Sequence, residues 1–259
     1  PQMLEGDFLQ PLDASQIPNT KYISSNRVRD KVVATWITEE GICYLPEKFK
    51  ELGLPAPTTY ADLANPKLRG RVMIPDFSSG GGLALVSGFA LAEGGSLDNI
   101  QPGLDLVRKI EDVQFWQKGS QVLTGMKSGD LYAAVIHGGH CIRAYNAGLD
   151  VMSVYPRIDD NTFGVAKQGW IGIVKGTKAS KAAHIWINEF LSAEFQVPFA
   201  KTVGAMPENR LAGPMLKEDD VIGKLMITDP DQMDKMLRVD FATVDQADWG
   251  DQWRRAVAR

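Results

Sequence analysis

The chain has only two cysteines and three histidines in 259 residues, and each scarcity removes a class of chemistry. Cys43 and Cys141 lie far apart and fit no metal-ligand spacing; they can be two buried thiols or one bridge, and the spacing does not decide. His137 and His140, three apart, are able to face one ion, but no carboxylate stands nearby in the chain to orient them, so no metal site is read. No apolar run approaches the ~18 residues of a spanning helix. No basic stripe interrupts the net charge of −4, which sets nucleic acid aside as a partner. The Arg254-Arg255 pair reads as a solvated helix end. Neither GxxxxGK[ST] nor a strand followed by GxGxxG occurs, so no nucleotide fingerprint is present and no cofactor is expected. Repeats and low-complexity tracts are absent. The start, Pro1-Gln2-Met3-Leu4-Glu5-Gly6, has no signal-peptide pattern and reads as the middle of a helix, so the beginning is expected to be a cut one.

What is present is an ordinary globular composition, 44 % hydrophobic and 23 % charged. The length suits two lobes of roughly 100–150 residues each. Residues 31–44 are rich in β-branched and aromatic side chains, with Gly41 among them, and predict a long strand with a bend or bulge in the middle. Short helices follow at 46–52 and 59–63. Beyond them, helices at 104–110, 120–127 and 141–147 alternate with strands at 113–116, 131–136 and 150–155, and one more strand lies at 169–174. This alternation predicts an α/β fold whose parallel or mixed sheets are covered on both faces. From 180 to 200 and from 231 onward the pattern is helical.

The most informative stretch is 71–82, Arg-Val-Met-Ile-Pro-Asp-Phe-Ser-Ser-Gly-Gly-Gly, followed by an apolar, small-residue helix to 93. A β-branched strand ends at Pro75-Asp76, and two hydroxyls and three glycines stand where the helix begins. Free N–H groups and the positive end of the helix dipole suit a carboxylate, phosphate or phosphonate. The plain alternative is a strand–turn–helix with Ser78 or Ser79 as N-cap.

Gly6-Asp7-Phe8-Leu9-Gln10-Pro11-Leu12-Asp13 is similar to the "eGlLqPLD" segment of the periplasmic solute-binding proteins of ABC importers. The polyamine and iron group, with the type II binding-protein fold, is the nearest. Residues 34–44 resemble the hinge strand ending "wGttGiaYn", 57–72 resemble "PtsWaDLwdPkykGrv", 125–139 resemble "l.sGevdaa..w.G", and 169–177 resemble the return strand. The matches run in family order from about residue 6 to residue 212. The resemblance implies two lobes joined by crossing strands, a first lobe of 1–40 with 164–259 and a second of 41–163. It also implies a membrane permease as partner, a periplasmic location and no catalysis. Family members carry a lobe-building segment before the "LqPLD" motif that this chain lacks. The first lobe is therefore expected to be incomplete, with bare sheet edges open to completion by a second copy in a homodimer.

By the same resemblance the ligand lies in the cleft between lobes and is trapped by hinge closure. Trp36, Thr38 and Glu39 on the outgoing strand, Ser78, Ser79 and Gly80 at the helix start, His137 and His140 with Gly138 at another strand end, and Trp170 on the return strand fall there. Each has a plainer role: core indoles for Trp36 and Trp170, exposed hinge charges for Glu39 and Glu40, a buried thiol for Cys141. Polyamine binders of the family carry an acidic residue two places after the return-strand Trp, where this chain has Gly172, and no tandem tyrosines suggest iron. A small polar ligand with an anionic group is expected, with a polyamine as the alternative. An enzyme on the same fold is the second alternative. Its only suggestive pair is His140 beside Cys141, and no triad supports it.

Overall fold

The computed structural model describes residues 2–258. Ten strands are used below: β1 (Leu9–Gln10), β2 (Val33–Tyr44), β3 (Val72–Pro75), β4 (Gln114–Trp116), β5 (Ala133–His137), β6 (Met152–Val154), β7 (Phe163–Ile171), β8 (Ile173–Val174), β9 (Met206–Pro207) and β10 (Met236–Leu237). The chain divides into two compact units. Unit 1 is Pro1–Thr38, Gln168–Gly223 and Ile227–Met233; unit 2 is Glu39–Lys167, Lys224–Met226 and Asp234–Arg259. The long strands β2 and β7 each pass from one unit to the other. No helix among the described residues is long and apolar enough to cross a membrane.

Unit 2 is built on β3, which pairs in parallel with β4 (Ile74↔Phe115) and with β5 (Val72↔Ala133). The second half of β2 adds to β5 antiparallel, Glu40↔His137 through Tyr44↔Ala133 in unbroken register. The ladder runs through Gly41 without a bulge. The glycine is required by close packing: a Cβ there would lie 2.4 Å from the Val154 carbonyl of β6, which packs alongside. The apolar runs of β3 and β5 join Tyr60, Leu63, Phe89 and Leu104 in one core.

That core also takes Trp249 and Trp253 from the C-terminal helix Gln246–Val257. Trp253 meets Phe115 edge to face, centroids 5.6 Å apart, and Trp249 Nε1 donates to the Leu97 carbonyl at 3.2 Å. The assignment of 234–259 to the first lobe is thus corrected. Two indoles on one face of an amphipathic helix bury where apolar surface is open to them, whatever the position of the helix in the chain. The crossings between units fall at 38/39 and 167/168, where the sequence placed them at 40/41 and 163/164. Cys43 on β2 and Cys141 on helix Gly138–Asn146 form a disulfide, which decides between the two open readings and removes the free thiol.

Unit 1 pairs β1 with β8 (Leu9↔Val174) and the start of β2 with β9 (Trp36↔Pro207). Helix Ser180–Phe190 covers a small core of Ile17, Ile23, Val33, Ile173, Ile187 and Leu191, and helix Ala193–Val203 follows it. A buried polar set locks it: Gln196 Nε2 donates to the Thr35 carbonyl at 2.7 Å, the Asn209 amide donates to Gln196 Oε1 at 3.0 Å, and Arg27 pairs with Glu208 at 2.8 Å. Among the described residues, the large apolar side chains that stay exposed all belong to this unit, with Phe8, Trp186 and Phe195 among them.

Candidate functional site

Parallel strands bring their carboxyl ends to one edge of a sheet, and α/β proteins place ligands there because turns and helix starts leave backbone groups open. In unit 2 that edge collects the turn after β3 (76–81), the turn after β4 (117–119) and the start of the helix after β5 (137–140).

The turn after β3 closes on itself. The Asp76 carboxylate accepts from the Ser78 amide at 2.9 Å and its hydroxyl at 2.6 Å. Burial alone would raise the Asp76 pKa, but the Ser78 hydroxyl and amide outweigh it and hold the carboxyl below its usual range. Ser79 turns both its amide (2.9 Å) and its hydroxyl (2.7 Å) onto the Asp76 carbonyl. The Gly81 amide reaches Ser79 Oγ at 3.3 Å, and the Gly82 amide reaches the Ser79 carbonyl at 3.2 Å. The expectation of a row of outward donors is therefore corrected. A carboxylate of the chain itself takes the Ser78 donors, and helix Gly82–Ala92 starts at Gly81 without a side-chain cap. Of the turn's amides, those of Phe77 and Gly80 have no acceptor among the described residues.

Gly80 faces a charged group that the sequence did not reveal. Lys167 Nζ on β7 lies 2.6 Å from the Gly80 carbonyl, 2.7 Å from Glu40 Oε1 and 3.3 Å from His137 Nε2. Glu40, opposite His137 in the β2–β5 register, is 1 % exposed, and the expected solvated hinge charge is corrected there. Its contacts with Lys167 and with His137 Nδ1 (3.0 Å) are ion-pair distances without aligned hydrogen bonds, and Oε2 has no donor. The two ring nitrogens of His137 thus face Lys167 on one side and Glu40 on the other. The His137 ring stands edge-on to Trp116 (5.8 Å) and stacks on His140 (5.9 Å). Trp116 is itself fixed by donating from Nε1 to the Val135 carbonyl at 2.9 Å. Burial, then the charges of Arg143, His137 and Lys167, push His140 down to about 4. Arg143 lies 2.8 Å from its Nδ1 and donates to it, which puts the His140 hydrogen on Nε2.

The remaining residues read from the sequence stand elsewhere. Glu39, fully buried, falls on the opposite face of β2 from Glu40 and adjoins Tyr155. Desolvation first, then the Glu39 carboxylate, raises the Tyr155 hydroxyl well above its usual value, and that hydroxyl donates to the Leu225 carbonyl at 3.0 Å. Its exposed-charge reading is corrected as well. Thr38 is half-buried at the end of the unit 1 part of β2. Trp36 and Trp170 both lie in unit 1. Trp36 packs on Phe190 (5.9 Å) and Phe199 (6.2 Å), and Trp170 carries the Arg29 guanidinium 4.4 Å over its ring. No ring contact joins the two indoles among the described residues. The return-strand glycine, Gly172, has no space for a side chain: a Cβ would lie 2.7 Å from the Lys31 carbonyl and 2.9 Å from Leu9. Among the described residues no group of three His, Cys, Asp or Glu side chains is placed to hold a metal.

The family model for bacterial extracellular solute-binding proteins matches residues 2–218. The chain belongs to that family. Solved structures share the fold. An ABC transporter protein from Clostridium perfringens superposes with a TM-score of 0.77 at 23 % identity, over 98 % of this chain and 79 % of its own. The spermidine/putrescine substrate-binding protein of Streptococcus pneumoniae gives 0.77 at 20 % identity, over 98 % and 80 %. The binding protein AfuA of Actinobacillus pleuropneumoniae, with fructose-6-phosphate bound, gives 0.66 at 19 % identity, over 98 % and 78 %. No curated protein sequence matches the chain. The two-lobe α/β solute-binding fold expected from the sequence is the fold observed.

Proposed function

We propose that this protein is the periplasmic ligand-capturing component of an ABC importer. It delivers its solute to a membrane permease and binds at the unit 2 edge a small polar molecule with an acidic group. The observation that carries the reading is the open amide of Gly80, with the Lys167 ammonium on the carbonyl of the same residue, just before a helix starts. His137 and His140 add ring faces to the same edge. Ser78 and Ser79 shape the turn by engaging Asp76, so their contribution is to hold Gly80 in place. Trp36, Thr38 and Trp170, also read from the sequence, belong to unit 1, and Glu39 is buried on the face of β2 opposite Glu40, so the proposed edge is built without them.

A polyamine fits less well. The position where the family's polyamine binders carry a carboxylate is Gly172, closed by backbone, and Glu40 is already paired with Lys167. Calorimetric titration with fructose-6-phosphate, inorganic phosphate, γ-aminobutyrate and spermidine tests the reading. Saturable binding of an acid-bearing probe is expected, with no heat from spermidine. Tight spermidine binding alone would overturn it.

The exposed apolar residues of unit 1 support a second proposal, the pairing of two copies through that unit. Light-scattering mass at rising concentration would show the dimer, and a constant monomer mass would remove it.

A further inference from the structure

We propose that Lys167 sets the charge preference of the unit 2 edge by cancelling the buried Glu40 carboxylate, so that an acidic solute can approach the Gly80 amide. The inference rests on the reading of an acid-binding edge given above.

Glu40 is 1 % exposed, and its Oε2 has no hydrogen-bond donor. A carboxylate in that state projects its charge through little screening. Lys167, one quarter exposed, touches Glu40 Oε1 at 2.7 Å and the Gly80 carbonyl at 2.6 Å, so the ammonium is the bridge between the buried acid and the turn. His137 does not replace it. Its Nε2 lies 3.3 Å from the same ammonium, farther than Glu40 Oε1 or the Gly80 carbonyl. Asp76, the other carboxylate of this edge, is engaged by Ser78, and Arg143 faces His140. Without Lys167 the edge therefore holds two carboxylates against Arg143, which faces His140, and Lys118, which is exposed to solvent in the turn after β4. Without Glu40 it holds an uncancelled ammonium against the Gly80 carbonyl. The two substitutions must act on an acidic solute with opposite signs, which a purely structural role for either residue does not give.

The test is titration at pH 8 of the whole chain and its variants with whichever of fructose-6-phosphate, inorganic phosphate or γ-aminobutyrate the unaltered protein binds. Lys167→Gln should weaken that probe roughly 10- to 100-fold, the scale of one uncompensated charge at close range. Glu40→Gln should tighten it several-fold, the double variant should return to within about fivefold of the unaltered protein, and Lys167→Arg should bind nearly as the original. Binding that ignores Lys167→Gln, or a double variant as weak as the single, overturns the inference while leaving the acid-binding reading intact. If Lys167→Gln does not fold, Glu40→Gln decides alone: looser or unchanged binding overturns the proposal. If the unaltered protein binds no acidic probe, the reading beneath the inference fails and the inference falls with it.

Discussion

Reducing the Cys43–Cys141 bond should weaken unit 2 by several kcal/mol, and the structure fixes the size of the effect. The bond ties β2 to helix Gly138–Asn146 and closes a loop of sequence separation 98. Cross-linking so long a loop removes chain entropy from the unfolded ensemble worth about 4.7 kcal/mol at 25 °C on the loop-closure model. The folded state loses little in return. Both sulfurs are buried, at 2 % and 1 % exposure, and reduced thiols fill the same space as small apolar groups. The ladder from Glu40↔His137 to Tyr44↔Ala133 holds β2 beside β5 without the bond, so the thiols need only local side-chain rotation. Urea unfolding with and without a phosphine reductant, followed by the fluorescence of Trp116, Trp249 and Trp253, is the assay. A loss of about 3–5 kcal/mol is expected, with a slope unchanged or steeper because the reduced chain expands further when unfolded. A loss under about 1 kcal/mol would refute the loop-entropy argument for this bond. A disulfide also suits an oxidising compartment, in keeping with an extracellular family.

Two further outcomes follow from particular side chains. Trp253→Ala should destabilise unit 2 by about 3–5 kcal/mol, since it empties a buried site against Phe115 and Phe77; denaturant titration showing less than about 1 kcal/mol would detach the C-terminal helix from this core. His140 stays neutral in the folded protein down to about pH 4, while its ordinary value is 6.5. The unfolded chain therefore binds more protons between those values, and stability should fall as the pH drops from 6.5 toward 4. His140→Gln should flatten that part of the urea-midpoint profile, and an unaltered slope would show that the ring is not the group responsible.

Much of the fold was legible because it depends on neighbours in the chain. The β-branched run of β3, the Pro75-Asp76 stop, the glycines after it and the small-residue helix beyond are local signals, and the structure builds a strand, a turn and helix Gly82–Ala92 from them. β7 was read only from 169, although it begins at Phe163: Gly164, Lys167 and Gln168 break its alternation, and its partner strands supply the pairing that the pattern does not announce. The candidate site was half legible. Glycines, serines and histidines at strand ends mark an edge from sequence alone, and the turn, His137 and His140 do meet there.

What the sequence by itself determined was the order and kind of the elements and the family, since hydrophobic period and turn chemistry are set by residues close in the chain. Tertiary structure decided the rest. It closed Asp76 onto Ser78, so that most of the turn's donors face inward, and carried Trp249 and Trp253 into the unit 2 core. It also set Lys167 against a carbonyl 87 residues away and joined two cysteines. Each of these depends on strand register and on which apolar surface is left uncovered after packing, quantities that no local stretch of residues contains.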